Sequence, residues 1–135
     1  SRAWKAVWGE HKNAITTIEY VPVGQTINQW NELITSQFIP GLSDVSPQEF
    51  AHRFLADLKK SGVVYTSKII DKQKTYLILE FQVQQPSNLQ QNELQKIVKT
   101  DEGIYVLHYA VKKSDMGDKQ RQAWLKNLQN SSLKN

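Results

Sequence analysis

Glu19-Tyr-Val-Pro-Val-Gly-Gln-Thr-Ile-Asn-Gln-Trp-Asn-Glu-Leu-Ile-Thr35 is the stretch on which the reading of the fold turns. Its first residues continue a β-branched and aromatic run, 14–21, that reads as a strand. Pro22 and Gly24 break the run, since proline lacks an N–H donor and glycine reaches backbone conformations closed to other residues. Thr26 followed by Gln29 has capping-box spacing: the hydroxyl accepts from a free helix N–H and the glutamine reaches back. Ile27, Trp30, Leu33, Ile34 and Phe38 then recur at helical spacing, predicting a helix that stops at Pro40-Gly41. On that reading Glu19, Trp30 and Thr35 are structural motif residues. Trp30 pins the helix to a sheet, Glu19 caps or pairs locally, and Trp30→Ala costs about 3–5 kcal/mol.

Outward from this stretch, residues 3–8 form a second aromatic run, and turn-like residues 9–13 join it to 14–21 as a hairpin. Trp4 and Trp8 share one face at period two. Downstream, Ser46-Pro-Gln-Glu49 opens a helix, with serine at the cap, proline at the first helical position and glutamate at the third. Val45 and Phe50 suit a hydrophobic staple, and Phe50, Phe54, Leu55 and Leu58 make its apolar stripe. Lys59, Lys60 and Gly62 suit its end. Residues 63–70 and 75–84 read as strands. Residues 89–99 read as a short helix carrying Leu89, Leu94, Ile97 and Val98. The run 104–111 is apolar on both faces, which marks a central strand covered on both sides. A last helix runs from about 115 to 129 and buries Met116, Ala123, Trp124, Leu125 and Leu128. The order is β-β-α-α-β-β-α-β-α: a single α+β domain over 1–135 with a frayed tail at 131–135. Its expected architecture is a mostly antiparallel sheet with helices packed on it, of the α/β/α-sandwich type.

At 135 residues with 39% apolar and 22% charged side chains, the composition is that of a globular chain. No apolar run approaches bilayer-spanning length. No cysteine is present, which removes disulfides, thiolate metal sites and cysteine nucleophiles. A cysteine-free chain suits the periplasm or the exterior as well as the cytosol. The net charge of +4 is concentrated at one end. Residues 104–135 hold Lys112, Lys113, Lys119, Arg121, Lys126 and Lys134 against only Asp115 and Asp118; the rest of the chain is balanced.

Catalytic patterns are scarce. His11, His52 and His108 have no histidine partner at metal-ligand spacing, so no metal or cofactor is expected. His108 alternates with Val106 and Ala110 and reads as a hydrogen-bonded core histidine. Neither a nucleophile elbow nor a phosphate-cradling glycine loop occurs. The four tryptophans fall on apolar stripes. A stacking surface for single-stranded nucleic acid would interleave them with cations, and only Tyr105, Tyr109, Lys112 and Lys113 hint at that. Asn130-Ser-Ser132 fits a glycosylation sequon.

The stretch Glu19–Thr35 resembles one in small uncharacterised exported proteins of Gram-negative bacteria, where E-Y-x-P-x-G-(E/Q)-(T/S)-x-x-x-W-(T/N) follows the first hairpin. Similar chains end in a strand–helix unit of the form Y-x-x-(K/R)…R…W, here Tyr109, Lys112, Arg121 and Trp124. The resemblance implies export, with a signal peptide taken to be removed. The element order is also similar to Mog1/PsbP-type sandwiches, which are mostly binding or assembly factors.

The expectation is a non-enzymatic exported binding module, periplasmic or secreted. It would meet a protein or an anionic membrane surface through Lys112, Lys113, Lys119, Arg121 and Lys126. A small hydrolase assembled from Glu19, Glu80 and His108 is the rival class, and a nucleic-acid binder the third.

Overall fold

The computed structural model describes residues 3–42 and 44–131. In chain order the elements are β1 (Trp4–Lys12), β2 (Ile15–Pro22), β3 (Glu32–Pro40), α1 (Pro47–Lys60), β4 (Val64–Lys72), β5 (Tyr76–Gln85), β6 (Gln91–Lys99), β7 (Gly103–Val111) and α2 (Asp118–Gln129). A single 3-10 turn at Ser87–Leu89 separates β5 from β6. The seven strands form one sheet in the order β1-β2-β3-β7-β6-β5-β4, every neighbouring pair antiparallel. Two meanders, β1–β3 and β4–β7, are thus sewn together along the β3–β7 seam, with α1 carrying the chain from one to the other. Gly103 opens β7 because a Cβ there would collide with the Ile39 carbonyl oxygen and stand 2.8 Å from Pro40 Cα.

The α+β class and the antiparallel sheet agree with the sequence reading, but two expected helices are strands. The first is the stretch after Thr26. Its capping bond does form, with the Gln29 N–H donating to Thr26 Oγ1 at 3.1 Å. It closes only a tight turn, however, in which Thr26 and Gln29 make an isolated bridge. Gln25 then ties Asn31 through both side-chain and backbone bonds, and Glu32 onward pairs with β2 and β7. Ile34, Thr35 and Ile39 are β-branched and suit a pleated surface flanked on both sides. The second is 89–99, which forms β6 between β5 and β7. Its Gln, Glu, Leu and Lys residues favour helix intrinsically. The central place in the sheet overrides that preference, and buried polar side chains (Asn92, Glu93, Gln95, Lys96) hide its alternation from a hydropathy reading.

A smaller difference lies in β1. The register slips between Ala6 and Trp8, a bulge that places Trp4 opposite Pro22 and Trp8 opposite Glu19. Trp4 and Trp8 therefore point to opposite faces. Of the tail read as frayed, Ser131 is half-buried and hydrogen-bonded to Leu128 and Lys96; residues 132–135 lie outside the described residues.

Each helix covers one face. On the first face α1 packs Ala51, Phe50, Phe54 and Leu58 against Leu77, Leu79, Phe81, Val83, Ile97, Ile104 and Val106. Ser46 caps α1, accepting from the Glu49 N–H at 3.0 Å, a bond worth about 1 kcal/mol. On the second face α2 packs Leu128, Trp124 and Leu125 against Ile78, Leu94, Tyr109 and Val111. This two-sided cover is what the doubly apolar β7 predicts.

Candidate functional site

The motif ends Glu19 and Thr35 are direct cross-strand partners on β2 and β3. The stretch between them is the connection that turns the chain from one strand into the next. The same row continues through His108 on β7, Gln95 on β6, and Leu79 on β5, and begins at Trp8 on β1. It lies on the α1 face. Thr35 donates to Glu19 Oε2 at 3.5 Å. His108 Nδ1 lies 2.7 Å from Glu93 Oε2, and Nε2 lies 2.8 Å from Gln37 Oε1. Both ring nitrogens therefore have partners, and neither is open to a metal or an incoming substrate. Glu93 also accepts from Gln91 and Gln95 at 2.9 and 2.5 Å. The Gln95 side-chain carbonyl has no hydrogen-bond partner among the described residues.

Glu80 belongs to the opposite face. Its neighbour across the sheet is Leu94, which packs under α2. A hydrolase site combining Glu80 with Glu19 and His108 is therefore not assembled: the sheet stands between them. Glu80 instead receives Arg121 from α2, whose Nε lies 3.0 and 2.9 Å from its two carboxylate oxygens. Asn92 donates to Glu80 Oε2 at 2.8 Å and accepts the Met116 N–H at 2.8 Å. The outer guanidinium nitrogens take Asp115 and Asp118 at 2.7 and 2.8 Å. Burial on its own would lower the Arg121 pKa; bonds and charges from Asp115 and Glu80 outweigh it and raise the value. Arg121, 13% exposed, is thus an internal clamp of α2 and not part of an open basic face. A polar cleft of about 300 Å³ borders the clamp, lined by Thr66, Ser67, Lys68, Gln82 and Asp115.

Lys112, Lys113, Lys119 and Lys126 are exposed. Lys112 Nζ sits 4.2 Å over the Trp30 ring. Trp30 is half-buried in the β2–β3 connection and pins no helix. Trp30→Ala is accordingly expected to cost about 1 kcal/mol, the scale of an exposed cation–π contact, and not the 3–5 kcal/mol of a core tryptophan. Urea unfolding of the variant measures this directly. Among the described residues no three His, Asp or Glu side chains gather as a metal site. No helix among them is long and apolar enough to cross a membrane.

A second tie holds the far end of α2. Asp71 accepts from Gln73 at 2.9 Å, Tyr76 at 3.0 Å and Gln129 at 3.4 Å. The Gln73 bond leads in lowering the Asp71 pKa, and the Asp71 bond leads in raising that of Tyr76. A depressed carboxyl stabilises the fold above its unfolded value and loses that contribution as pH falls through the folded value. A raised phenol stabilises below its unfolded value and loses it as pH rises through the folded one. Stability should therefore fall below about pH 4 and again above about pH 10. Asp71→Asn should flatten the acid limb in a pH series of denaturation curves.

Fold and site together define an antiparallel α+β sandwich whose polar chemistry is divided between two faces and largely spent on internal ties. Residues 2–135 match an uncharacterised family named after a protein of a Gram-negative bacterium, and the chain belongs to that family. No curated protein matches the chain. Two features of the site escape a sequence reading: the Glu93–His108–Gln37 chain and the Arg121 clamp. Both join residues far apart in sequence, and only the apolar neighbours of His108 give a signal that it is partly buried.

Proposed function

We propose that the protein is a non-catalytic binding module that docks on an anionic membrane surface through Lys112, Lys113, Lys119 and Lys126. One observation carries the reading. Asp115 and Asp118 are the acids of the C-terminal strand–helix unit, and both are paired to the inward-turned Arg121. The four lysines face solvent, and among the described residues none of them is drawn into an ion pair with a carboxylate. Lys119 and Lys126 are two turns apart on α2, about 10 Å along its axis, a spacing suited to separate headgroups. Each lysine held at an anionic bilayer surface contributes about 1 kcal/mol. Export belongs to the same reading, supported by the cysteine-free composition and by the likeness of Glu19–Thr35 to exported proteins; fractionation of cells expressing the whole gene product tests it.

Docking is tested with vesicles of graded anionic lipid content at low and physiological salt, with double-stranded DNA and RNA alongside. Salt-sensitive binding that rises with anionic content supports the reading, provided Lys119→Glu/Lys126→Glu abolishes it without lowering the melting temperature. Preference for nucleic acid with a steep salt slope would replace it with the nucleic-acid reading. Absence of binding to either, or binding indifferent to the charge reversal, would return the lysines to solubility.

A further inference from the structure

Helix α2 ends at Gln129 and leaves part of the second sheet face uncovered by helix. Two transverse rows run there. One is Tyr76–Val98–Tyr105–Phe38 across β5, β6, β7 and β3. The next is Ile78–Lys96–Leu107–Ser36 across the same strands. Between them lies a groove of about 350 Å³, lined by Ser36, Tyr76, Lys96, Val98, Tyr105 and Leu107. That volume lies in the range of small-molecule sites, which are mostly apolar with a few fixed polar groups. The floor is aromatic and aliphatic. Its polar groups are the Ser36 and Ser131 hydroxyls, the tyrosine phenols and one amine.

That amine is Lys96 Nζ. The residue is 6% exposed. Its ammonium donates to the Ser131 carbonyl and hydroxyl, both at 3.0 Å, and stands 4.7 Å from the Tyr76 ring centroid. All three partners are neutral. Among the described residues no carboxylate lies within ion-pair distance of Lys96. Burial pushes its pKa down, and the charge of Asp71 only partly offsets this. A buried cation without a counter-charge is costly, because lost hydration is not repaid by an opposite charge. The buried carboxylate of Glu80, by contrast, is paired with Arg121.

We propose that this groove binds a small amphipathic carboxylate, its acid head on Lys96 and its apolar body along Tyr76, Val98, Tyr105 and Leu107. Charge complementarity fixes the occupant: the head supplies an anion that no described residue provides within ion-pair distance, and the tail covers the apolar floor beyond α2. The site is separate from the lysines of the proposed membrane surface, so either can stand without the other.

Isothermal titration of the whole chain with octanoate, octanol and octylamine tests the proposal. Octanoate is expected to bind saturably, at least tenfold more tightly than octanol, with octylamine weakest. Lys96→Met keeps an unbranched side chain one atom shorter and removes the charge, so the fold should persist. In that variant octanoate should weaken at least tenfold while octanol is unchanged. Ser36→Leu, which narrows the groove, should weaken octanoate and octanol alike. Equal affinity for octanoate and octanol, an unaltered octanoate affinity in Lys96→Met, or no saturable binding at all would overturn it.

Discussion

Arg121→Met is expected to lower the unfolding free energy by about 3–5 kcal/mol, the scale on which breaking one side of a buried ion pair acts. Glu80 is 3% exposed and keeps Asn92 as its neutral partner when the guanidinium is gone. A carboxylate left in that position has lost its counter-charge without regaining water. The same substitution frees Asp115 and Asp118, but both are exposed and rehydrate at little cost. The asymmetry gives a sharp check by urea unfolding. Glu80→Gln/Arg121→Met should be less destabilised than Arg121→Met alone, since the orphaned charge is removed with its partner. A loss below about 1 kcal/mol in the single variant, or a double variant worse than either single, would show that Glu80 is not held in the ionic form by Arg121. A stable Arg121→Met that had lost lipid binding would instead return Arg121 to the docking surface.

Trp124→Ala is expected to cost about 3 kcal/mol, the lower end for tryptophan truncation because the ring is only partly buried. The ring stacks on Tyr109 at 4.0 Å between centroids and 10° between planes, and meets Trp4 edge-on at 5.9 Å. It thereby joins α2 both to the central strand β7 and to the edge strand β1. Tyr109 is fully buried, and its hydroxyl donates to Glu32 Oε2 at 2.5 Å and is met by Gln120 from α2. Removing the indole opens a void above this network, so α2 should loosen first. Hydrogen exchange should show lost protection in α2 and β1 before β5 and β6. Uniform loss of protection across the sheet would mean that Trp124 supports the whole core and not the seating of one helix. If the lysines of α2 serve a membrane, the variant should also bind vesicles less steeply with anionic content, since its charges no longer sit on a fixed frame.

The two misread segments show where local sequence stops being informative. After Thr26 one half of the expected capping box forms, the Gln29 N–H donating to Thr26 Oγ1. What it initiates is a turn, because the residues that follow find two strand partners and no helical one. Leu33, Ile34 and Phe38 satisfy helical spacing, yet Leu33 and Ile39 share one face of β3 and Ile34 and Phe38 the other. In β6 the signal was masked by function-like residues placed inside. Asn92, Glu93 and Lys96 are held inside by partners distant in sequence, on β5, on β7, in the β7–α2 connection and just beyond α2, while Gln95 is bonded to Glu93 on its own strand. The basic stretch was legible as charge, but its geometry was not: Arg121 reads like its lysine neighbours and alone turns inward. Guanidinium geometry suits such a clamp, since one planar group can serve Glu80, Asp115 and Asp118 together.

By itself the sequence determined the α+β class, the capped α1 helix, the doubly covered β7, the absence of thiol chemistry and the concentration of positive charge at one end. These follow from short-range rules: side-chain period, capping chemistry, composition. Tertiary structure alone decided that β3 and β6 are strands, that Glu80 and His108 lie on opposite faces, that Arg121 is a clamp, and that Lys96 is buried beside an apolar groove with no carboxylate of the described residues within ion-pair distance. Those depend on which distant strand lies alongside, and pairing energy across a sheet outweighs the roughly 1 kcal/mol span of local preference.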